Sequence, residues 1–396
     1  MNIYADNAAT TKMSRTAIDA MLPYMDEIYG NPSSLHSVGQ SANEAITSAR
    51  QRMAECLGCD AREIIFTSGG SEADNHAIIS AARIGEKQGK KHIISTAFEH
   101  HAVLHTLNRL EKEGFEITLL DVHENGLITA EQVSEAIRED TCLVTVMYAN
   151  NEIGTIQPIK EIGAVCREKG VLFHTDAVQA VGHLHIDVKE QNIDMLSLSA
   201  HKFHGPKGVG ALYAKRGIRL TNLIEGGAQE QGRRAGTENI PAIMGMAAAL
   251  EEACSHIDEN ASTVAVLRDR LIAGLNEIPH GVLNGDAAHR LPGNVNFCFE
   301  GIEGESLLLL LDDKGVYASS GSACTSGSLD PSHVLLAIGR PHEIAHGSLR
   351  LTLSEETTPE EIDHMIQSVK DVVEYLRGMS PVWRDLVNGK NKFVTK

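Results

Sequence analysis

The run Ile193-Asp194-Met195-Leu196-Ser197-Leu198-Ser199-Ala200-His201-Lys202-Phe203-His204-Gly205-Pro206-Lys207-Gly208 decides how the chain is read. Its first half is strand-like and its second half is a Pro/Gly loop, so Ser199, His201 and Lys202 are delivered to a strand end. Open α/β sheets bind their ligands at such ends, which makes Lys202 the first residue to explain. An amine among desolvating walls and other cations has a lowered pKa, and a neutral amine forms a Schiff base with an aldehyde. Within it the decapeptide 199–208 also reads as a surface turn, since Lys beside Gly and Pro is common there. The flanking chain has to decide.

Outward from this strand, apolar runs alternate with helical patterns. Strands are expected at 64–67, 92–96, 117–122, 143–148, 171–175, 195–199 and 209–214, with helices at 102–112, 130–138 and 159–169. The alternation predicts an α/β fold with a mainly parallel sheet covered by helices. Beyond the loop 226–237, a helical stretch from about Ile240 to Leu275 is expected to bridge to a smaller α/β unit. That unit has strands at 295–299 and 349–353 and a final helix over 359–377. The polar, basic tail 388–396 is expected to be loosely held.

With 396 residues the chain exceeds the usual span of one hydrophobic core, so two domains are expected. The net charge of -18 argues against direct nucleic-acid binding, which needs a clustered basic surface. No stretch is long and apolar enough for a membrane span, and the first residues carry no signal-peptide pattern, so a cytoplasmic protein is expected. Seven scattered cysteines do not resemble a secreted disulfide framework. Cys56 and Cys59 form a lone C-x-x-C, a weak signal for redox or metal use, and no metal site is expected. Cys142, Cys166, Cys254 and Cys298 lie in apolar settings and read as core. Cys324 is different, because Ser319-Ser320-Gly321-Ser322-Ala323-Cys324-Thr325-Ser326-Gly327-Ser328 is small and polar, as a mobile exposed loop would be.

Other strand ends add candidates. Phe66-Thr67-Ser68-Gly69-Gly70-Ser71-Glu72-Ala73 runs from a strand through two glycines into a helix, a seat for a phosphate or a simple helix cap. Asp176, with Gln179 on the same turn, can hold a protonated ring nitrogen or cap the next helix. His100 can lie on a planar cofactor or act as an acid/base, and Asn151 ends yet another strand. A phosphorylated aldehyde cofactor, pyridoxal 5'-phosphate, needs all of these at once: phosphate donors, a ring-nitrogen acid, a stacking group and a Schiff-base lysine.

In these motifs the chain resembles the cysteine desulfurases of the NifS/IscS type, within the aspartate-aminotransferase-like fold type I. The resemblance runs from Tyr4-Ala5-Asp6-Asn7-Ala8-Ala9-Thr10-Thr11 through Gly30-Asn31-Pro32-Ser33-Ser34, Glu99-His100, Asn150-Asn151-Glu152-Ile153-Gly154 and the lysine decapeptide. It continues in Arg233-Arg234-Ala235-Gly236-Thr237-Glu238-Asn239 and closes with Gly321-Ser322-Ala323-Cys324-Thr325-Ser326. It implies a large domain over 15–258 with a seven-stranded sheet, and a small domain built from 1–14 and 259–396. It implies Lys202 as the cofactor lysine, Asp176 on the ring nitrogen, Gln179 on the ring hydroxyl and His100 stacked on the ring. Gly70, Ser71, Ser199 and His201 would surround the phosphate, with Thr237 approaching from the other subunit of a homodimer. Asn151 would serve both cofactor and substrate, sharing the carboxylate of L-cysteine with Arg350, and Cys324 would accept the sulfur as a persulfide. The expected acceptor is an iron-sulfur scaffold or a tRNA-thiolation protein, or an iron-sulfur cluster passing through Cys324. Two rivals are another pyridoxal-phosphate enzyme, such as a selenocysteine lyase or an aminotransferase, and a non-catalytic assembly platform.

Overall fold

The computed structural model describes residues 1–321 and 331–395. In chain order its described strands are β1 Ile3–Tyr4, β2 Ile64–Thr67, β3 His92–Thr96, β4 Glu116–Leu120, β5 Thr141–Thr145 and β6 Leu172–Asp176. There follow β7 Met195–Ser199, β8 Gly210–Ala214, β9 Gly281–Leu283, β10 Asn294–Phe299, β11 Val316–Tyr317 and β12 Ser348–Thr352. Strands β2 to β8 form one seven-stranded sheet in the order β2-β8-β7-β6-β5-β3-β4, and only β8 runs against the rest. This is the expected α/β, mainly parallel sheet. The reversal at β8 follows from the short loop after β7, which carries Lys202 and returns the chain as an antiparallel neighbour.

Both faces of the sheet are covered, which explains why its strands read as continuous apolar runs. Ile65, Ile93, Leu143, Met195 and Leu212 pack on the helix Gly70–Lys87 through Ala73, Ala77, Ile78 and Ala81. The alternate side chains, Phe66, Ile94, Val144, Phe173, Leu196 and Leu198, face the other way, toward the helices Ser37–Leu57 and Ile240–Ser255. A separate apolar cluster contains Ile3, Leu271, Phe297, Phe299, Leu307, Leu349, Leu351, Ile362 and Val369. It surrounds the antiparallel sheet β9-β10-β12, and β1 joins it by pairing Ile3 with Val316 of β11.

Strands 64–67, 92–96 and 195–199 stand where the sequence placed them, whereas the ends of β4, β5 and β6 are shifted by one to three residues. The shift of β5 is small in substance: past Thr145, Val146 N still bonds to His174 O at 3.2 Å and Tyr148 N to Asp176 O at 2.8 Å. The expected single helical stretch from Ile240 to Leu275 is two helices, Ile240–Ser255 and Ile257–Leu275. Ser255 Oγ, at 2.8 Å, and the His256 ring, at 2.9 Å, turn back onto the Glu252 carbonyl and compete with the helical ladder there. The tail is held, contrary to expectation. Glu300 accepts from Val394 N at 2.9 Å and Thr395 N at 3.0 Å, and the Phe393 ring stacks on His280 with centroids 3.8 Å apart. Among the expected core cysteines, Cys142, Cys166 and Cys298 are buried but Cys254 is only half-buried. No helix among the described residues is long and apolar enough to cross a membrane.

Candidate active site

The parallel strands bring their C-terminal ends to one edge. β2 leads into Gly70 and Ser71, β3 into His100, β5 into the turn of Asn151, β6 ends on Asp176, and β7 ends on Ser199 just before His201 and Lys202. The turn expected to seat a phosphate begins at Gly69, whose φ of 153° with ψ of -177° is open only to glycine. As the residue before the helix Gly70–Lys87 it offers no side-chain cap, so the first amide N–H groups of that helix have no side chain to satisfy them. A Cβ on Gly70 would stand 2.6 Å from Val178 Cγ2 and 3.5 Å from Ser199 Cβ, so this turn, β7 and the Asp176 turn meet closely. An open helix N-terminus walled by small residues suits a phosphate.

Asp176 is buried and its Oδ1 accepts from Val178 N at 3.0 Å. Burial raises its pKa, while His100, that backbone hydrogen bond and Lys202 pull it down. The next layer is also acidic. Asp74 is fully buried, and burial followed by the nearby Asp176 pushes its carboxyl well up. Glu99, likewise buried, is pushed up to about 8. His174 lies 3.7 Å from Asp74 Oδ1 and burial drives its ring down to about 3, so it is neutral. Behind Asp176, burial thus favours the protonated form of both carboxyls and the neutral form of the imidazole. His100 caps the helix His101–Lys112, its Nδ1 accepting from Ala102 N at 3.1 Å, which leaves the proton of the neutral ring on Nε2.

Lys202 Nζ donates to the carbonyls of Ala8 at 2.5 Å and Ala9 at 2.8 Å. Gln179 Nε2 also reaches Ala8 O, at 3.0 Å, and His201 Nδ1 meets Thr10 Oγ1 at 3.1 Å. Arg350, on β12 and 1% exposed, donates through Nη2 to Asp6 Oδ1 at 2.8 Å and through Nη1 to Asn151 O at 3.2 Å. Its Nε has no hydrogen-bond partner among the described residues, an open donor on a buried guanidinium that suits a carboxylate. The segment Asp6 to Thr11 thus touches Lys202, Gln179, His201 and Arg350. The motif was legible in the sequence but its contacts were not, because its partners lie 171 to 344 positions away. Glu152, similarly unassigned, is buried, accepts from Ser332 Oγ and lies against Gly321.

Thr237 is exposed and makes no hydrogen bond to Gly70, Ser71, Ser199 or His201 among the described residues. Cys324 lies outside the described residues. A cavity of about 670 Å³ reaches Lys202, Gln179, Ala8, His204 and Glu355, but none of Gly70, Ser71, His100 and Asp176 lines it. The seat, the buried acid, the amine and the open guanidinium fit a phosphorylated pyridine aldehyde with an amino-acid carboxylate beside it.

Residues 3–365 match the family described as aminotransferase class-V. A cysteine desulfurase IscS of Methanosarcina thermophila is 55% identical over 380 residues, spanning 96% of this chain and 94% of its own. One from Clostridium botulinum is 53% identical over 393 residues, spanning 98% and 99%. A solved NifS-like protein is 37% identical with a TM-score of 0.89, over 95% of this chain and all of its own.

Proposed function

The chain belongs to the aminotransferase class-V family, and we infer, from that membership and its likeness to cysteine desulfurases, that it is a pyridoxal-phosphate-dependent cysteine desulfurase. It converts L-cysteine to L-alanine, and in our reading it leaves the sulfur on Cys324 as a persulfide. The observation that carries the reading is the meeting of Lys202, the buried Asp176 and the uncapped turn at Gly70 on one sheet edge. When bound, pyridoxal 5'-phosphate supplies an electron sink for the bond to the substrate Cα hydrogen.

The chain's own residues do the rest. Gly70, Ser71, Ser199 and His201 hold the phosphate, Asp176 keeps the ring nitrogen protonated, His100 covers the ring and Gln179 meets its hydroxyl. Arg350 and Asn151 orient the cysteine carboxylate. Lys202 Nζ holds the cofactor and moves the proton at the substrate Cα. His201 is neutral at pH 7 and too weak a base to take that proton in its place, since burial and the neighbouring Lys202 and Lys207 bring it down to about 4.

The reading includes a homodimer in which Thr237 completes the partner's phosphate seat. It is supported by the exposure of Thr237 and by exposed apolar side chains at Leu22, Met25, Tyr29, Leu35 and Val38, with Leu223 and Ile224. It also includes a cytoplasmic protein, a division into 15–258 and 1–14 with 259–396, and an iron-sulfur scaffold or tRNA-thiolation protein as acceptor. The separate apolar cluster that joins Ile3 to residues 264–373 supports the division. The test is intact mass after brief exposure to L-cysteine without reductant, with alanine measured alongside. A one-sulfur gain mapped to Cys324, matched by alanine and absent in Cys324→Ala, is expected. Alanine with no sulfur on Cys324 would overturn the acceptor and point to a lyase; absence of alanine would overturn the activity.

A further inference from the structure

The lone C-x-x-C of the sequence is not a pair in the fold. Cys56 is next to last in the helix Ser37–Leu57, and the chain then turns at Gly58, whose φ is 71°. Cys59 lies beyond that turn, held up to about 12 by burial and by Glu63. Cys56 instead faces Cys254, which is next to last in the helix Ile240–Ser255 packed alongside. Arg52 reaches across to Glu251 with Nε 3.0 Å from Oε2, which sets the register of the two helices one turn before the thiols. Both thiols are half-buried and both line a cleft of about 520 Å³ walled also by Leu184, Asp187 and Gln191, where each perturbs the ionisation of the other. No residue assigned to cofactor or substrate lines this cleft.

The pair is chemically asymmetric. The interaction with Cys254 lowers the Cys56 pKa against the effect of burial and raises that of Cys254. Cys56 is the side on which the thiolate is favoured, so it is taken as the attacking sulfur.

We propose that Cys56 and Cys254 form a reversible dithiol/disulfide site that reacts with peroxides and links the ends of the two helices. The Cys56 thiolate attacks one peroxide oxygen, the O–O bond breaks and hydroxide leaves, giving a sulfenic acid. The Cys254 sulfur then attacks the Cys56 sulfur, an S–S bond forms, and the hydroxyl departs as water with the Cys254 proton. Hydroxide takes up the proton that Cys56 had released, so two thiols lose two electrons and one peroxide becomes two waters. Thiol pairs of this kind act transiently in reducing compartments, as sensors more than as structural bonds. The site stands apart from the desulfurase reading, since it uses neither Lys202 nor Cys324.

The experiment treats reduced holoenzyme, freed of small thiols, with a small excess of hydrogen peroxide, then alkylates, digests and maps cysteines by mass spectrometry. The expected product is a Cys56–Cys254 peptide two hydrogens lighter than its parts, restored by dithiothreitol and lost in Cys56→Ser. In Cys254→Ser, Cys56 should instead be trapped by dimedone as the sulfenic acid. Both variants should keep the parent's desulfurase activity, which shows that they fold. Recovery of Cys56 as the free thiol, or bridged to Cys59, would overturn the proposal. So would a Cys254→Ser variant whose Cys56 no longer reacts with dimedone.

Discussion

Glu99 is buried behind Asp176, with Thr96 Oγ1 at 2.6 Å and Met147 N at 3.0 Å both donating to Oε1. Burial nevertheless pushes its carboxyl up to about 8. The linkage is the reverse of the usual carboxylate case. The folded chain keeps a proton that the unfolded chain releases above about 4.5, so stability falls as pH rises from there toward about 8. Glu99→Gln should gain on the parent by roughly 1–2 kcal/mol between about pH 6 and pH 9, read from urea unfolding at each pH. A constant difference would show that Glu99 is ionised throughout. The sequence distinguished His100 from its neighbours because it follows a strand, yet Glu99 was quoted only beside it without a role and Asp74 not at all. Their chemistry depends on burial beneath the sheet edge, and no local pattern in Phe98-Glu99-His100-His101 encodes that. Lys202 and Asp176 were legible because each closes a strand.

The turn before the helix Gly70–Lys87 makes the strongest demand on any single element. An added methyl at Gly70 meets Val178 Cγ2 at 2.6 Å, a separation at which something must move. Gly70→Ala should cost roughly 1–3 kcal/mol of local packing, and affinity for pyridoxal 5'-phosphate should fall by about tenfold or more. Equilibrium dialysis with the cofactor checks this without any turnover, and unchanged affinity would remove Gly70 from the seat. At this scale the sequence performed unevenly for physical reasons. Strands β2, β3 and β7 carry short apolar runs with clear turn residues after them, so their ends were visible. The break at His256 was not, because it comes from Ser255 and His256 side chains competing for one carbonyl within an otherwise helical pattern. The docked tail depends on Glu300, a residue with no sequence mark of its own.

Across the whole molecule, His204 ties the lysine loop to segments distant in sequence. Its Nδ1 lies 2.9 Å from Lys12 O and its Nε2 3.1 Å from Glu355 Oε1, so both ring nitrogens face acceptors and the charged ring is favoured. Burial opposes that charge but Glu355 prevails and the His204 pKa rises, while Glu355, despite its own burial, is drawn down to about 2. The stability from Glu355 is complete above about 4.5 and is lost as pH falls toward about 2. That from His204 is complete below about 6.5 and is lost as pH rises through its raised value. Glu355→Gln should therefore lose most against the parent near about pH 5.5, by roughly 1 kcal/mol after solvent screening, and less toward either extreme. Denaturant unfolding across that range checks it, and a loss that keeps growing above pH 8 would sink the assignment. The same long reach governs the birth of the enzyme. Ile3 waits for Val316, Asp6 for Thr352 and Arg350, and the Ala8 carbonyl for Lys202. Residues 3–8 thus wait for partners made long after them, and a nascent chain stalled before β12 holds the lysine loop without the strand that carries Arg350. Synthesis itself withholds the finished site from the cell until β12 has been made.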